Sequence, residues 1–152
     1  MNIGRLKFDI DELVNEILDH IPEEMFSSDS TTFLDPEMGG GQFVKEIEKR
    51  LRSYGHSDDN ISSRVTGFAS SKIQLNYIIK KHKLVGQYSI FNIMEEELSK
   101  KFDVVVGNPP YNKEKVGGGA GSGRSIWQKF VDKSFNICKT NGFVSLIHPI
   151  QW

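Results

Sequence analysis

Residues 104–111, VVVGNPPY, set the tightest limit on what this chain can fold into. Three consecutive β-branched residues, Val104, Val105 and Val106, suit a strand covered on both faces, as in a parallel sheet with helices on either side. Gly107 lets the backbone turn, and Pro109 and Pro110 have no N–H to offer a ladder, so the strand stops there. The prolines also hold Asn108 in an extended conformation at the carboxyl end of the strand, which is where ligands bind in open α/β sheets. Asn108 and the carbonyl of Pro109 then supply neutral acceptors, with the ring of Tyr111 as a stacking surface. That set fits a planar substrate bearing an NH2 group. The competing reading is a proline-rich turn after a core strand; the full tetrad favours the site.

A second constraint comes earlier. TTFLD, residues 31–35, reads as a short first strand, followed by DPEMGGGQF and a helix with the apolar stripe Phe43, Val44, Ile47, Leu51 and Tyr54. Strand, glycine turn, helix brings bare backbone close to a ligand near a helix N-terminus. Gly39 and Gly41 are expected to avoid Cβ clashes with that ligand, and Asp35 to offer it an acceptor or a negative charge. Glycines alone would equally make a left-handed turn. A dinucleotide fingerprint needs glycine where Val44 stands, and a P-loop needs Gly-Lys-Ser/Thr; neither pattern is present.

Asn108, Pro109, Pro110 and Tyr111 resemble the catalytic motif of S-adenosylmethionine-dependent DNA adenine-N6 methyltransferases of restriction-modification or phage type. Asp35, Pro36, Gly39, Gly41 and Phe43 resemble the cofactor signature of the same family. The resemblance implies S-adenosylmethionine as cofactor and DNA as partner, with a flipped adenine stacked on Tyr111. It also places Asn92 where the family has an aspartate that accepts from the cofactor's adenine. At the end of the second strand, Ala69 replaces the acid that grips the ribose in related enzymes. A lost charged hydrogen bond costs roughly 1.5–3 kcal/mol. Glutamine or RNA amino methylation shares the NPPY tetrad and stays open, as does a catalytically silent binding remnant.

The remaining chain is read as alternating strands and helices. Ile10, Leu13, Val14, Ile17, Leu18 and Ile21 fall at helical spacing, with Pro22 at the end. Residues 22–32 and 53–63 read as polar connections, His56 included, and the scattered histidines give no metal-ligand spacing. RVTGFA is the second strand, SSKIQLNYIIKKH a helix capped by Ser70 or Ser71, and residues 87–92 the third strand. Residues 112–125 form a glycine-rich loop, either a linker or a segment that orders over DNA through Lys113, Lys115 and Arg124. Ile126, Trp127, Phe130, Val131, Phe135 and Cys138 share one helical face; Asn141 and Gly142 stop that helix. FVSLIHPI is then a mostly buried fifth strand, with His148 a structural residue.

The expected fold is therefore α/β: a Rossmann-like, mostly parallel sheet of about five strands with helices on both faces. The chain of 152 residues suits one catalytic domain, 1–152. Ending at Trp152, it reads as incomplete, without a target-recognition domain, which a second chain or a C-terminal region would supply. Its 19 basic and 20 acidic residues leave no cationic footprint. The lone Cys138 excludes an intrachain disulfide and suits a reducing compartment, and no apolar run approaches a membrane span. A soluble cytoplasmic protein is the reading.

Overall fold

The computed structural model describes residues 9–110 and 126–147. The elements run α1 (Ile10–Asp19), α2 (Glu23–Ser27), β1 (Phe33–Asp35), α3 (Gln42–Ser53), α4 (Asp58–Arg64), β2 (Val65–Ala69), α5 (Lys72–His82), β3 (Gln87–Ile90), β4 (Phe102–Gly107), α6 (Ile126–Ile137) and β5 (Cys138–Leu146). The five strands form one sheet in the order β3-β2-β1-β4-β5, and every neighbouring pair is parallel. The chain steps outward from β1 through β2 to β3, then returns to lay β4 on the other side of β1. Between β1 and β4 the helical connections diverge, which opens a crevice at the carboxyl ends of those two strands.

The three valines behave as their chemistry requires. Val104 and Val106 join Phe33 and the helices α1, α3 and α5 in one apolar cluster; Val105 joins Leu34, Phe68, Phe130 and Ile137 in the other. Alternate side chains thus enter opposite layers, and each fully buried valine contributes on the order of 1.5–3 kcal/mol. Helices cover both faces, as expected.

Several connections differ from the sequence reading. Residues 23–27 form α2, because Phe26 is buried and stacks on Phe33 at 5.4 Å between ring centroids. Residues 58–64 form α4, where Ser57 accepts from Asn60 N and Ile61 is fully buried. One apolar residue is too few to show helical periodicity. His56 is not solvated: its side chain is 6% exposed, and its ring nitrogens lie 2.8 Å from the Phe26 carbonyl and 3.3 Å from Asp29. Tyr54 falls beyond the stripe of α3, as its exposed C-cap, donating to Glu23 at 2.8 Å.

The largest correction concerns Cys138, which opens β5 instead of closing α6. Phe102 pairs with Cys138 but Val104 pairs with Phe143, so β5 carries an excursion through Asn141, whose φ is 64°. Asn141 and Gly142 therefore bend a strand; they do not stop a helix. A Cβ at Gly142 would lie 2.5 Å from Cys138 Sγ and 2.6 Å from the Asp103 carbonyl. Asp103 pins the same corner: its Oδ2 accepts from Thr32 N at 2.8 Å, Thr32 Oγ1 at 2.7 Å and Lys139 Nζ at 2.9 Å. Phe135 of α6 is 62% exposed, off the buried face. Residues 142–146 of β5 are half-buried, because the strand has a single neighbour at the edge of the sheet.

One buried carboxylate ties a helix to the opposite edge. Glu48 of α3 is fully buried, and its Oε1 accepts from Val85 N, Gly86 N and Tyr88 Oη at 2.9, 2.9 and 2.6 Å. Arg52 donates to Oε2 at 3.0 Å. Every acceptor position of consequence is filled, which is the condition for a buried charge to persist.

Candidate active site

The glycine turn is built by contacts across the end of β2. Met38 N donates to the Phe68 carbonyl at 2.8 Å, and Gly41 N donates to the Met38 carbonyl at 2.7 Å. Met38 packs where a side chain on Gly67 would stand, since a Cβ there would lie 2.7 Å from its sulfur. From α5, Gln74 Nε2 donates to the Gly39 carbonyl at 2.9 Å, and a ring nitrogen of His82 lies 3.1 Å from the Gly40 carbonyl.

Gly39 and Gly41 both have positive φ, 51° and 79°, but they serve different ends. A Cβ on Gly39 would meet nothing within 4 Å, and Gly39 lines a recess of about 240 Å³ with Gly40, Ile10, Val14 and Asn108. A Cβ on Gly41 would collide with Ile78 Cγ2 instead. Gly41 thus allows the turn to dock on α5; its missing side chain faces the protein and not a ligand, contrary to the sequence expectation.

A larger recess, about 520 Å³, lies on the other side of Glu37. Pro36, Ala69, Phe91, Asn92, Pro110 and Phe130 contribute to its wall. The volume falls in the range of roughly 300–1,000 Å³ found for small-molecule sites. Phe91 is both wall and core, packing on Phe68 with ring centroids 4.6 Å apart. Asn92 is held in a tight turn: its Oδ1 accepts from Met94 N at 3.0 Å, and its N donates to Glu96 Oε1 at 3.1 Å. Ser70, adjoining Ala69, also lines this recess.

Asn108 is exposed at the carboxyl end of β4, and Pro109 behind it is buried. The proline corner and the glycine turn, far apart in sequence, therefore meet: Asn108 with Gly39 in the smaller recess, Pro110 with Pro36 in the larger. Tyr111, Lys113, Lys115, Arg124 and His148 lie outside the described residues.

Asp35 is fully buried and contributes to neither recess wall, so the expected direct contact with a ligand is not its position. Its Oδ1 accepts from Glu37 N at 3.1 Å, and Oδ2 is buried with no hydrogen-bond partner among the described residues. Burial, reinforced by the nearby charge of Glu37, outweighs the bond from Glu37 N and pushes the carboxyl up to about 8. Across the crevice, Gly107 leaves room for it: a Cβ there would lie 2.9 Å from Asp35 Oδ1. Asp35 is thus packed closely against the end of β4.

Glu37 was not singled out by the sequence, because it stands between Pro36 and the glycines at a position where the resembled signature specifies no residue. It lines both recesses, and burial raises its carboxyl above the ordinary range. Neither wall contains a lysine or arginine among the described residues. The same residues offer no group of three or more His, Cys, Asp or Glu placed to hold a metal, and no helix long and apolar enough to cross a membrane.

Residues 9–152 match the Eco57I restriction-modification methylase family. The chain belongs to that family. It is 29% identical over 76 residues to the type II methyltransferase M.BstVI of Geobacillus stearothermophilus, a match covering 50% of this chain and 13% of that protein. Among solved structures, the M protein of the type I restriction enzyme EcoKI superposes with a TM-score of 0.67 at 16% identity, covering 94% of this chain and 34% of that one. Coclaurine N-methyltransferase, solved with N-methylheliamine and SAH, gives 0.59 at 16% identity, over 93% and 38% of the two chains. At such identities the structural likeness establishes the Rossmann-like methyltransferase fold. The chain spans about an eighth of the length of the curated relative.

Proposed function

We propose that the chain holds S-adenosylmethionine across the two recesses and presents Asn108 to the N6 amino group of an adenine in DNA. The observation that carries this reading is the meeting of Asn108 with the Gly39–Gly40 turn in one recess. The walls fit the cofactor: Phe91 and Phe130 give flat apolar surface, Asn92 a polar edge, and Glu37 a negative charge that no basic residue among the described ones neutralises. The adenosine half lies in the larger recess and the methionine half runs past Gly39 towards Ile10 and Val14. Asn92 Oδ1 keeps a second lone pair beside its bond to Met94 N, which can accept from the adenine amino group. Ala69 offers no side-chain acceptor, and Ser70 beside it supplies a polar side chain on that side.

The cofactor supplies an activated methyl group. Asn108 Oδ1 and the Pro109 carbonyl accept the N6 hydrogens of the flipped base, and Tyr111 stacks on its ring. This turns the nitrogen lone pair towards the methyl carbon. Catalysis is then chiefly positioning, and no covalent nucleophile is required. In this reading residues 1–152 form one methyl-transfer unit. With a formal net charge of −1, much of the DNA affinity comes from a second chain or further sequence that reads the target.

The test is a labelled-methyl assay offering DNA, RNA and protein separately, with calorimetry for cofactor affinity. Label is expected in DNA as N6-methyladenine. Asn108→Ala should lower transfer by about 10²–10³-fold, the effect of removing one positioned hydrogen-bonding group, with S-adenosylmethionine affinity nearly intact. Equal transfer by that variant refutes the role of Asn108. Label in glutamine or RNA transfers the reading to those substrates, and absence of binding heat favours a silent remnant.

A further inference from the structure

Glu37 is the one acidic residue common to the walls of both recesses. Its backbone is fixed, since Glu37 N donates to Asp35 Oδ1 at 3.1 Å. Its carboxylate has no hydrogen bond or ion pair among the described residues, although the other half-buried or buried glutamates, Glu46 and Glu48, are paired with arginines at 3.4 and 3.0 Å. Burying a carboxylate without a partner is unfavourable, so a cation arriving beside it gains an interaction that none of the described residues supplies. The surrounding wall strengthens this, because it is apolar on the Ala69, Phe91 and Phe130 side and holds no lysine or arginine among the described residues.

Resting on the cofactor placement proposed above, a ligand with its adenosine half in one recess and its amino-acid half in the other must carry its central sulfur past the residue the recesses share. We infer that Glu37 faces the sulfonium of S-adenosylmethionine and makes this chain prefer the charged methyl donor over the neutral thioether product. The physical basis is differential interaction: a unit positive charge beside a partly desolvated carboxylate is attracted far more strongly than an uncharged sulfur in the same place. Methyl transfer removes that charge, so the same carboxylate favours product release.

The experiment is calorimetry on the full chain with three probes: S-adenosylmethionine, S-adenosylhomocysteine, and an analogue bearing an amine in place of the methyl sulfonium. Glu37→Gln is expected to weaken S-adenosylmethionine and the amine analogue about tenfold while changing S-adenosylhomocysteine less than twofold; tenfold corresponds to about 1.4 kcal/mol. Glu37→Asp should retain most of the preference. Equal weakening of charged and neutral probes in Glu37→Gln, or weakening of none, overturns the inference while leaving the cofactor assignment standing. Failure of the unaltered chain to bind any of the three overturns both. Because charged and neutral ligands are compared within each variant, partial unfolding, which would weaken all three alike, cannot imitate the expected result.

Discussion

Asp35 is a fully buried carboxyl with an unpartnered oxygen among the described residues. Buried, with one oxygen bonded to Glu37 N and the other without a partner, it holds its proton to about pH 8, against a value near 3.8 in the unfolded chain. The folded state therefore binds the extra proton between those limits, and the contribution of this group to stability is complete below about pH 4 and is lost as pH rises towards 8. At its steepest the loss is about 1.4 kcal/mol per pH unit. Asp35→Asn removes the titration but keeps an acceptor for Glu37 N. Measured by urea denaturation, the variant should gain on the native chain steadily from pH 4 to pH 8; a constant difference over that window would show that Asp35 is ionised throughout. The sequence identified Asp35 as a site residue from its place at a strand end. Only its burial reveals that it acts on the turn and on the approach of Gly107, and not on a ligand directly.

At the level of elements, the site is a joint between the β1–α3 turn and the end of β4, with α5 bracing the turn from outside. Gly41 shows how that bracing constrains the sequence. Its φ of 79° disfavours any side chain, and a Cβ would also strike Ile78, which is 2% exposed and has little room to yield. Gly41→Ala should cost about 1–3 kcal/mol in thermal or chemical unfolding. Gly39→Ala, with open space around its Cβ, should cost only the backbone strain of about 1 kcal/mol and affect ligand affinity more than stability. The reverse ranking would place Gly41, not Gly39, at the ligand. The helices α1 and α3 were legible because their apolar positions repeat at helical spacing over about three turns. The short α2 and α4 were not, since each rests on one buried anchor, Phe26 or Ile61, whose partners lie elsewhere in the chain.

For the whole molecule, walls drawn from both halves of the chain make the larger recess a joint that a ligand would fasten: Pro36 and Ala69 come from the first half, Pro110 and Phe130 from the second. S-adenosylmethionine at about 100 times its dissociation constant should stabilise the fold by about 2.7 kcal/mol. For a domain of this size that is a rise in Tm of roughly 5–10 °C, readable by scanning calorimetry; no rise at saturating ligand would argue against the two-recess placement. The sequence by itself determined the strand that ends at Asn108, the strand–glycine turn–helix at Asp35, and the parallel α/β class, because hydrophobic period, proline and glycine act over a few neighbouring residues. It misjudged where α6 gives way to β5, since the bend at Asn141 and Gly142 is set by Asp103 bonding both Thr32 and Lys139 across the sheet. Tertiary structure alone decided that Asp35 is sealed in, that Gly41 faces α5, and that Glu37 stands in the walls of both recesses. Those are consequences of burial and of distance through space, which depend on groups many residues away and leave no local pattern in the chain.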